Sequence, residues 1–160
     1  MTQKYALFFD IDGTLVSFQT HEIPASTILA LTQAKANGSR VYIDTGRPPQ
    51  IINNLGAIEH LIDGYITTNG ALCYVGDEMV TCQPIPKDDV MTCVEDCQEK
   101  GNSLIVVGRK DVAVVDPRGD VDRIFRQMLA VKNLDKASPL DVVLQQDILQ
   151  LTPFFPADHE

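Results

Sequence analysis

The sequence predicts an α/β fold: a doubly wound parallel sheet of which only part is present, followed by a region of α+β type. Three observations support this prediction. An almost unbroken apolar run of strand length lies at residues 5–11, helix and strand patterns alternate from there to residue 68, and a hairpin pattern replaces them after residue 71. The 160 residues are 44% hydrophobic, which suffices for one domain, or for one complete unit and part of another.

The first half of the chain has the pattern β-α-β-α-β. The apolar run at residues 5–11 predicts a parallel strand that is covered on both faces. Pro24 begins a helix with Ile28 and Leu31 on one side, and Asn37, followed by glycine, ends it. The segments RVYID and GYITT are predicted strands, and TGRPPQIINNLG between them is a turn and a short helix. Right-handed crossovers then place ligands at the carboxyl ends of the strands.

The second half has a different pattern. ALCYVGDEMVTC predicts a hairpin around Gly76, and the prolines at 84 and 86 mark a linker, so we divide the chain into a first domain, residues 1–83, and a second, residues 84–160. In the second domain we predict a helix ending near residue 100 and another over residues 121–129. Strands are predicted at SLIVV, DVAVV and ILQLT, with a short helix in SPLDVVLQQ. This mixture favours an antiparallel sheet with helices on one face.

The composition excludes some classes of partner. A net charge of −9, a pI near 4.6 and the lack of a Lys/Arg cluster argue against binding to nucleic acid or to an acidic membrane surface. No apolar run in the sequence reaches the length of a membrane span, and the first ten residues lack a signal-peptide pattern, so we expect a cytoplasmic protein. The four cysteines have no C-x-x-C spacing and are expected to be reduced packing thiols.

Two aspartates end the first predicted strand, in the segment FFDIDGTL. Residues two apart on a strand point the same way, so Asp10 and Asp12 are expected to face one spot, with Gly13 allowing close approach of the backbone. Two such carboxylates repel each other unless a cation lies between them, and oxygen ligands of this kind suit Mg²⁺. With a phosphate ester bound, Asp10 can form an aspartyl phosphate, while Asp12 protonates the leaving oxygen and later activates water. The alternative is a pair of acids that only cap a loop.

Further candidates lie at the ends of the second and third predicted strands. Thr45 offers a hydroxyl to a phosphoryl oxygen, Gly46 allows the backbone to approach, and Arg47 supplies positive charge beside a helix start. Asn69 adds an amide at the same rim. Each has a structural alternative: an ordinary turn hydroxyl for Thr45, a solvated or helix-capping cation for Arg47, and a simple turn at Asn69.

The segments FFDIDGTL, DTGRP and YITTNGA together resemble motifs of the haloacid dehalogenase (HAD) superfamily, in particular the Cof-type sugar-phosphate phosphatases with a large α/β cap of class IIB. The resemblance runs through the whole chain. It implies a HAD-like, Rossmann-like core with the second domain as an inserted cap, and a magnesium-dependent phosphatase acting on a small phosphorylated metabolite. It also implies Asp10 as nucleophile, Asp12 as acid/base, Thr45 as phosphoryl ligand, and Mg²⁺ held by the Asp10 side chain and the Asp12 backbone carbonyl.

The sequence departs from the family pattern in one respect. In the family, a lysine and a G-D-G-x-x-D segment follow the cap; neither is found here, and the final residues FFPADHE read like the start of a helix. We therefore expect an N-terminal portion that ends inside the cap and is nearly inactive by itself. Three alternatives stay open: a phosphotransferase or phosphomutase of the same superfamily, a receiver-like module that accepts phosphate without turnover, and a non-catalytic binding protein. The sequence specifies neither the exact substrate nor the oligomeric state.

Overall fold

A five-stranded sheet organises the first part of the chain. In the computed structural model, which describes residues 4–117, 121, 123 and 137–155, its strands are β1 (Ala6–Phe9), β2 (Arg40–Asp44), β3 (Gly64–Thr67), β4 (Leu72–Val75) and β5 (Glu78–Cys82). They follow chain order across the sheet. β1, β2 and β3 are parallel, whereas β4 and β5 add to β3 as an antiparallel hairpin. The predicted strands and hairpin are confirmed.

One α-helix and two short 3₁₀-helices connect the parallel strands. α1 (Ala25–Ala36) follows Pro24, whose fixed φ suits a helix start, and ends at Asn37. The helix predicted within residues 45–56 is reduced to the 3₁₀-helix Pro49–Ile51, because the backbone is already extended at the next residue, Ile52. A second 3₁₀-helix, Glu59–Leu61, follows it. Nine buried apolar side chains of this part form one cluster: Ile11, Leu15, Val16, Leu31, Val41, Ile43, Leu55, Ile58 and Leu61.

Among the residues that the structure describes, β1 is covered on one face only, so the prediction of burial on both faces is wrong for this strand. Phe9 packs against the buried cluster, whereas Phe8 points to the opposite face and is 53% exposed. There the Phe8 ring stacks on Tyr42 of β2, with the ring centroids 5.0 Å apart. The apolar run predicts a strand, but it does not reveal which of the two faces of that strand becomes covered.

The second part of the chain contains a three-stranded antiparallel sheet. Its elements are α2 (Lys87–Lys100), β6 (Ser103–Gly108), β7 (Val112–Val115), α3 (Leu140–Val143) and β8 (Ile148–Phe154), and the strand order is β7-β6-β8. Every residue of the central strand β6 is buried. Both helices pack on the sheet in one apolar cluster: Val90, Val94, Cys97, Leu104, Val106, Ala113, Val143 and Ile148. The α+β prediction is confirmed for these elements, and the helix predicted over residues 121–129 falls almost entirely outside the described residues.

The chain divides into two compact units, Met1–Cys82 and Gln83–Glu160. The sequence placed the domain boundary between residues 83 and 84. Among the residues that the structure describes, no helix combines the length and the apolar character needed to cross a bilayer.

Candidate active site

The carboxyl ends of β1, β2 and β3 meet at one edge of the first sheet. The parallel register of β1 and β2 makes segments 10–12 and 45–47 leave the sheet side by side. Thr45 N donates a hydrogen bond to Ile66 O at 2.9 Å, and Asn69 N donates to Thr45 O at 3.4 Å, which ties the end of β3 to the same edge. The candidates predicted on three separate strands therefore lie at one rim, as the carboxyl ends of parallel strands require.

Arg47 forms a two-point ion pair with Asp12. Arg47 Nε lies 2.7 Å from Asp12 Oδ2, and Arg47 Nη2 lies 2.7 Å from Asp12 Oδ1. The guanidinium also donates through Nη1 to the carbonyl of Ile51, at 3.0 Å. The 3₁₀-helix Pro49–Ile51 therefore helps to fix the position of the guanidinium. Arg47 is 4% exposed and the Asp12 side chain 20% exposed. The pair fixes the orientation of the Asp12 carboxylate.

Thr45 is buried, and its hydroxyl group accepts a hydrogen bond but donates none to the described residues. Its Oγ1 accepts a hydrogen bond from Arg47 N at 3.2 Å, within the tight turn that follows β2. The structure shows no acceptor for the Thr45 hydroxyl proton among the described residues. A phosphoryl oxygen could take that proton as a hydrogen bond, whereas the hydroxyl of Thr67, at the end of β3, already donates to Leu72 O.

Asn69 lies over Gly46. A Cβ atom added to Gly46 would be 3.0 Å from Asn69 Oδ1, which is tighter than ordinary packing allows. Asn69 is exposed and has a left-handed backbone, a conformation that asparagine tolerates. The preceding residue, Thr68, is buried at the same place and was missed as a candidate. Its signal in the sequence was a threonine directly before an Asn-Gly turn pair.

Asp10 and Gly13 complete the rim. Asp10 is exposed, and its side chain has no hydrogen bond or ion pair within the part of the chain that the structure describes. Gly13 has a φ of +77°, and a Cβ there would lie 2.5 Å from the ring of Phe18. The positive φ and the Phe18 ring are therefore enough to require glycine at position 13. The group that comes close to the backbone at Gly13 is thus the ring of Phe18.

The oxygen atoms at this rim that could bind a single Mg²⁺ ion come from one side chain and one backbone carbonyl, not from a cluster of side chains. The described residues contain no group of three or more His, Cys, Asp or Glu side chains that could hold a metal ion. Both carboxylate oxygens of Asp12 face Arg47, whereas the Asp10 carboxylate and the Asp12 backbone carbonyl accept no hydrogen bond from the described residues. These are two hard oxygen donors of the type that Mg²⁺ prefers, so the residues present fit this ion.

The thiols of Cys73 and Cys97 are poor candidates for a reactive nucleophile. Burial raises the pKa of the Cys73 thiol, and the negative charge of Asp44 raises it further. Burial also raises the pKa of Cys97, with the neighbouring Cys93 adding to the shift. A thiol with a raised pKa carries less of the reactive thiolate at neutral pH.

Residues 7–160 match the family model of haloacid dehalogenase-like hydrolases. The chain belongs to this family. The resemblance seen in the sequence and the HAD-like fold class are thereby confirmed. Within the family, the chain is 44% identical to a solved structure described as the HAD subclass IIB sugar phosphatase BT4131, with a TM-score of 0.86 over 96% of this chain and 60% of that chain.

Two further relatives of this HAD-like hydrolase support the same placement. A structure from a crystallographic study of a trigonal-bipyramidal intermediate in a phosphoryl-transfer superfamily is 42% identical, with a TM-score of 0.88 over 98% of this chain and 60% of that chain. The YkrA protein of Bacillus subtilis (strain 168) is 28% identical over 100 residues, which are 62% of this chain and 38% of YkrA. The chain thus spans 60% or less of the length of these relatives.

Proposed function

We propose that this HAD-like hydrolase is a phosphatase that hydrolyses small phosphate monoesters through an aspartyl phosphate on Asp10. The observation that carries the proposal is the arrangement at the rim: an exposed carboxylate at Asp10 beside the Asp12–Arg47 pair, with the unused hydroxyl proton of Thr45 on the neighbouring strand. A nucleophile, an oriented acid/base and a phosphoryl donor are the parts that such a reaction needs.

In the first step, an Asp10 carboxylate oxygen bonds to phosphorus as the bond from phosphorus to the leaving oxygen breaks. Asp12, in its protonated form, gives its proton to that oxygen, and the alcohol leaves. In the second step, Asp12 takes a proton from water while the water oxygen attacks phosphorus, which releases phosphate and restores Asp10. Each carboxyl oxygen has two lone pairs, so two contacts to Arg47 still leave room for a proton on Asp12.

The Thr45 hydroxyl would donate a hydrogen bond to a phosphoryl oxygen, and Asn69 and Gly46 would border the same pocket. Bound Mg²⁺, held by the Asp10 carboxylate and the Asp12 backbone carbonyl, would supply the positive charge that lets a carboxylate approach a phosphate. Sugar phosphates are the substrate class we favour, since one relative that is 44% identical is described as a sugar phosphatase.

The domain roles belong to this proposal. Residues 1–83 would form the N-terminal part of the hydrolase core, and residues 84–160 an incomplete α/β cap that selects the leaving group. A cytoplasmic location fits the four cysteines, which form no disulfide among the described residues. The acidic net charge of −9 is in keeping with a small metabolite as partner, rather than nucleic acid or a membrane surface.

The test measures release of phosphate from p-nitrophenyl phosphate and from a panel of sugar phosphates, with Mg²⁺ and with EDTA. It compares the 160-residue chain with any longer product of the reading frame that encodes it. We expect turnover by the latter with Mg²⁺, and a loss of about a thousandfold or more in the Asp10→Asn variant.

Three outcomes would count against this function. Normal hydrolysis by Asp10→Asn would exclude the aspartyl phosphate. Transfer of phosphate to an added sugar in preference to water would identify a phosphotransferase. A stable phosphorylated Asp10 without phosphate release would favour a phospho-acceptor module.

A further inference from the structure

Residues 68–70 form a turn with an unusual backbone. Thr68, Asn69 and Gly70 lie one after another in the left-handed region, with φ values of 51°, 53° and 91°. Glycine and asparagine adopt this conformation readily, whereas a β-branched residue such as threonine rarely does. Thr68 is also 2% exposed, and its Oγ1 has no hydrogen-bond partner among the described residues. A strained backbone and an unpaired buried hydroxyl persist in one residue only where the surroundings hold it.

The turn is tied to the segment that carries Thr45 and Arg47. Thr68 N donates to Arg47 O at 3.2 Å, and Asn69 N donates to Thr45 O at 3.4 Å. Between these two bonds, the Asn69 side chain lies against Gly46, with Oδ1 3.0 Å from the position of an ideal Cβ. Three successive residues, 45–47, are thus each contacted by the turn.

We propose that Thr68 is a positioning residue: its left-handed backbone directs the turn so that it fixes residues 45–47, and through them the Thr45 hydroxyl and the Arg47 guanidinium. An extended backbone at Thr68 would continue β3 and carry the two amides away from the carbonyls that they contact. Thr68 need not touch the substrate. That this geometry serves phosphate binding rests on the proposed function. The hydrogen bonds from the turn to residues 45–47 do not depend on that function.

Three variants of the 160-residue chain separate the possible roles. Thr68→Pro fixes φ at about −65°, so the left-handed backbone cannot form at this position. Thr68→Val keeps the shape but removes the unpaired hydroxyl. Thr67→Val is the matched control, since Thr67 is equally buried and adjacent but has an extended backbone, and its hydroxyl is paired with Leu72 O.

Two measurements are made by NMR on ¹⁵N-labelled protein: amide shifts and hydrogen exchange of residues 45–47, and their response to inorganic phosphate added with Mg²⁺. In Thr68→Pro we expect shift changes and faster exchange at residues 45–47, and phosphate affinity lower by about fivefold or more. In Thr68→Val and in Thr67→Val we expect both properties of this segment to stay as in the parent chain.

Unchanged shifts and exchange at residues 45–47 in Thr68→Pro would overturn the inference. Weaker phosphate binding in Thr68→Val would also overturn it, because the hydroxyl would then act directly. If the parent chain binds no phosphate, the proposed function loses its support, while the shifts and exchange rates of residues 45–47 still decide whether the turn positions them.

Discussion

Arg47 and Asp12 are joined by two parallel hydrogen bonds of 2.7 Å each at the carboxyl edge of the sheet. The sequence assigned Arg47 to the phosphate, and that role stays a prediction. The observed partner of its guanidinium is a carboxylate, so Arg47 acts on the site through the orientation of Asp12. The planar guanidinium matches both oxygens of a carboxylate, a geometry that the single ammonium of lysine cannot reproduce.

Arg47→Lys is therefore expected to be a severe substitution in spite of the retained charge. The variant loses one of the two bonds to Asp12 and the bond to Ile51 O, in a site where Arg47 is 4% exposed. We expect the free energy of unfolding to fall by about 2 kcal/mol, because buried polar groups are left without partners. Urea denaturation measures this change.

The matched control is Lys100→Gln. Lys100 forms an exposed ion pair with Asp96, four residues earlier on α2, with a distance of 2.6 Å that is as short as those in the buried pair. Because solvent screens exposed pairs, we expect no measurable change in unfolding. Equal effects of the two substitutions would contradict the importance of burial and of the two-point geometry.

Asp63 is expected to make stability depend on pH. Partial burial by itself raises the pKa of Asp63, but hydrogen bonds from Lys35 Nζ and Val41 N, together with the charges of Lys35 and Arg40, outweigh it and lower this pKa below its usual value. A carboxyl group whose folded pKa lies below its unfolded pKa stabilises the fold fully above the unfolded value, about 3.9, and less as pH falls through the folded value.

Asp63→Asn should therefore lower the melting temperature at pH 7, and the difference from the parent chain should shrink as the pH falls from about 4 downward. Thermal unfolding followed by circular dichroism between pH 3 and pH 7 measures this. Asp77→Asn is the control, since Asp77 lies exposed in the β4–β5 turn and has no ion pair among the described residues. A constant difference between Asp63→Asn and the parent chain across this range would contradict the prediction.

The strands were predictable because their signals are local. RVYID matches β2 residue for residue. A short run rich in β-branched and aromatic residues, bounded by Gly38 and the Thr45-Gly46 turn, favours a strand. Coverage of β1 was not predictable, because burial of Phe8 depends on what lies across the sheet. The same local apolar run fits a strand with one covered face or with two.

The candidate site was predictable in its members but not in its connections. Strand ends place Asp12 and Arg47 at one edge, and the parallel arrangement alone predicts this. The pairing of their side chains depends on rotamers and on the 3₁₀-helix that supplies the Ile51 carbonyl, which no spacing in the sequence encodes. The strain at Thr68 was missed for a similar reason, because left-handed dihedrals were expected at the Asn-Gly pair and not at the threonine before it.

Gly64→Ala should destabilise the chain. Gly64 is the first residue of β3, and a Cβ there would lie 2.6 Å from Tyr74 O on the adjacent strand β4. Because the obstructing atom belongs to the backbone, the strands must move apart, at a cost of about 1–3 kcal/mol in the free energy of unfolding. Gly56→Ala is the control, since a Cβ at Gly56 meets nothing within 4 Å. Urea denaturation that shows Gly64→Ala to be as stable as Gly56→Ala would refute this reason for the glycine.

Gly46→Ala tests the contact between Gly46 and Asn69. The added methyl would lie 3.0 Å from Asn69 Oδ1, an atom at the end of an exposed side chain, so the amide should turn away at little cost to stability. We expect weaker binding of inorganic phosphate in the presence of Mg²⁺, on the order of ten- to a hundredfold, because the rim of the pocket changes shape. Phosphate titrations followed by NMR measure the affinity, and thermal unfolding measures the stability.

The double variant Gly46→Ala with Asn69→Ala shows whether the contact itself is responsible. If the methyl acts by displacing the Asn69 amide, then Gly46→Ala should weaken phosphate binding much less when that amide is already absent, and the two effects should not add. Fully additive losses would mean that the methyl blocks the phosphate directly. An unchanged affinity in Gly46→Ala alone would show that neither residue borders the bound phosphate, and Thr45 would then need a different set of neighbours in the pocket.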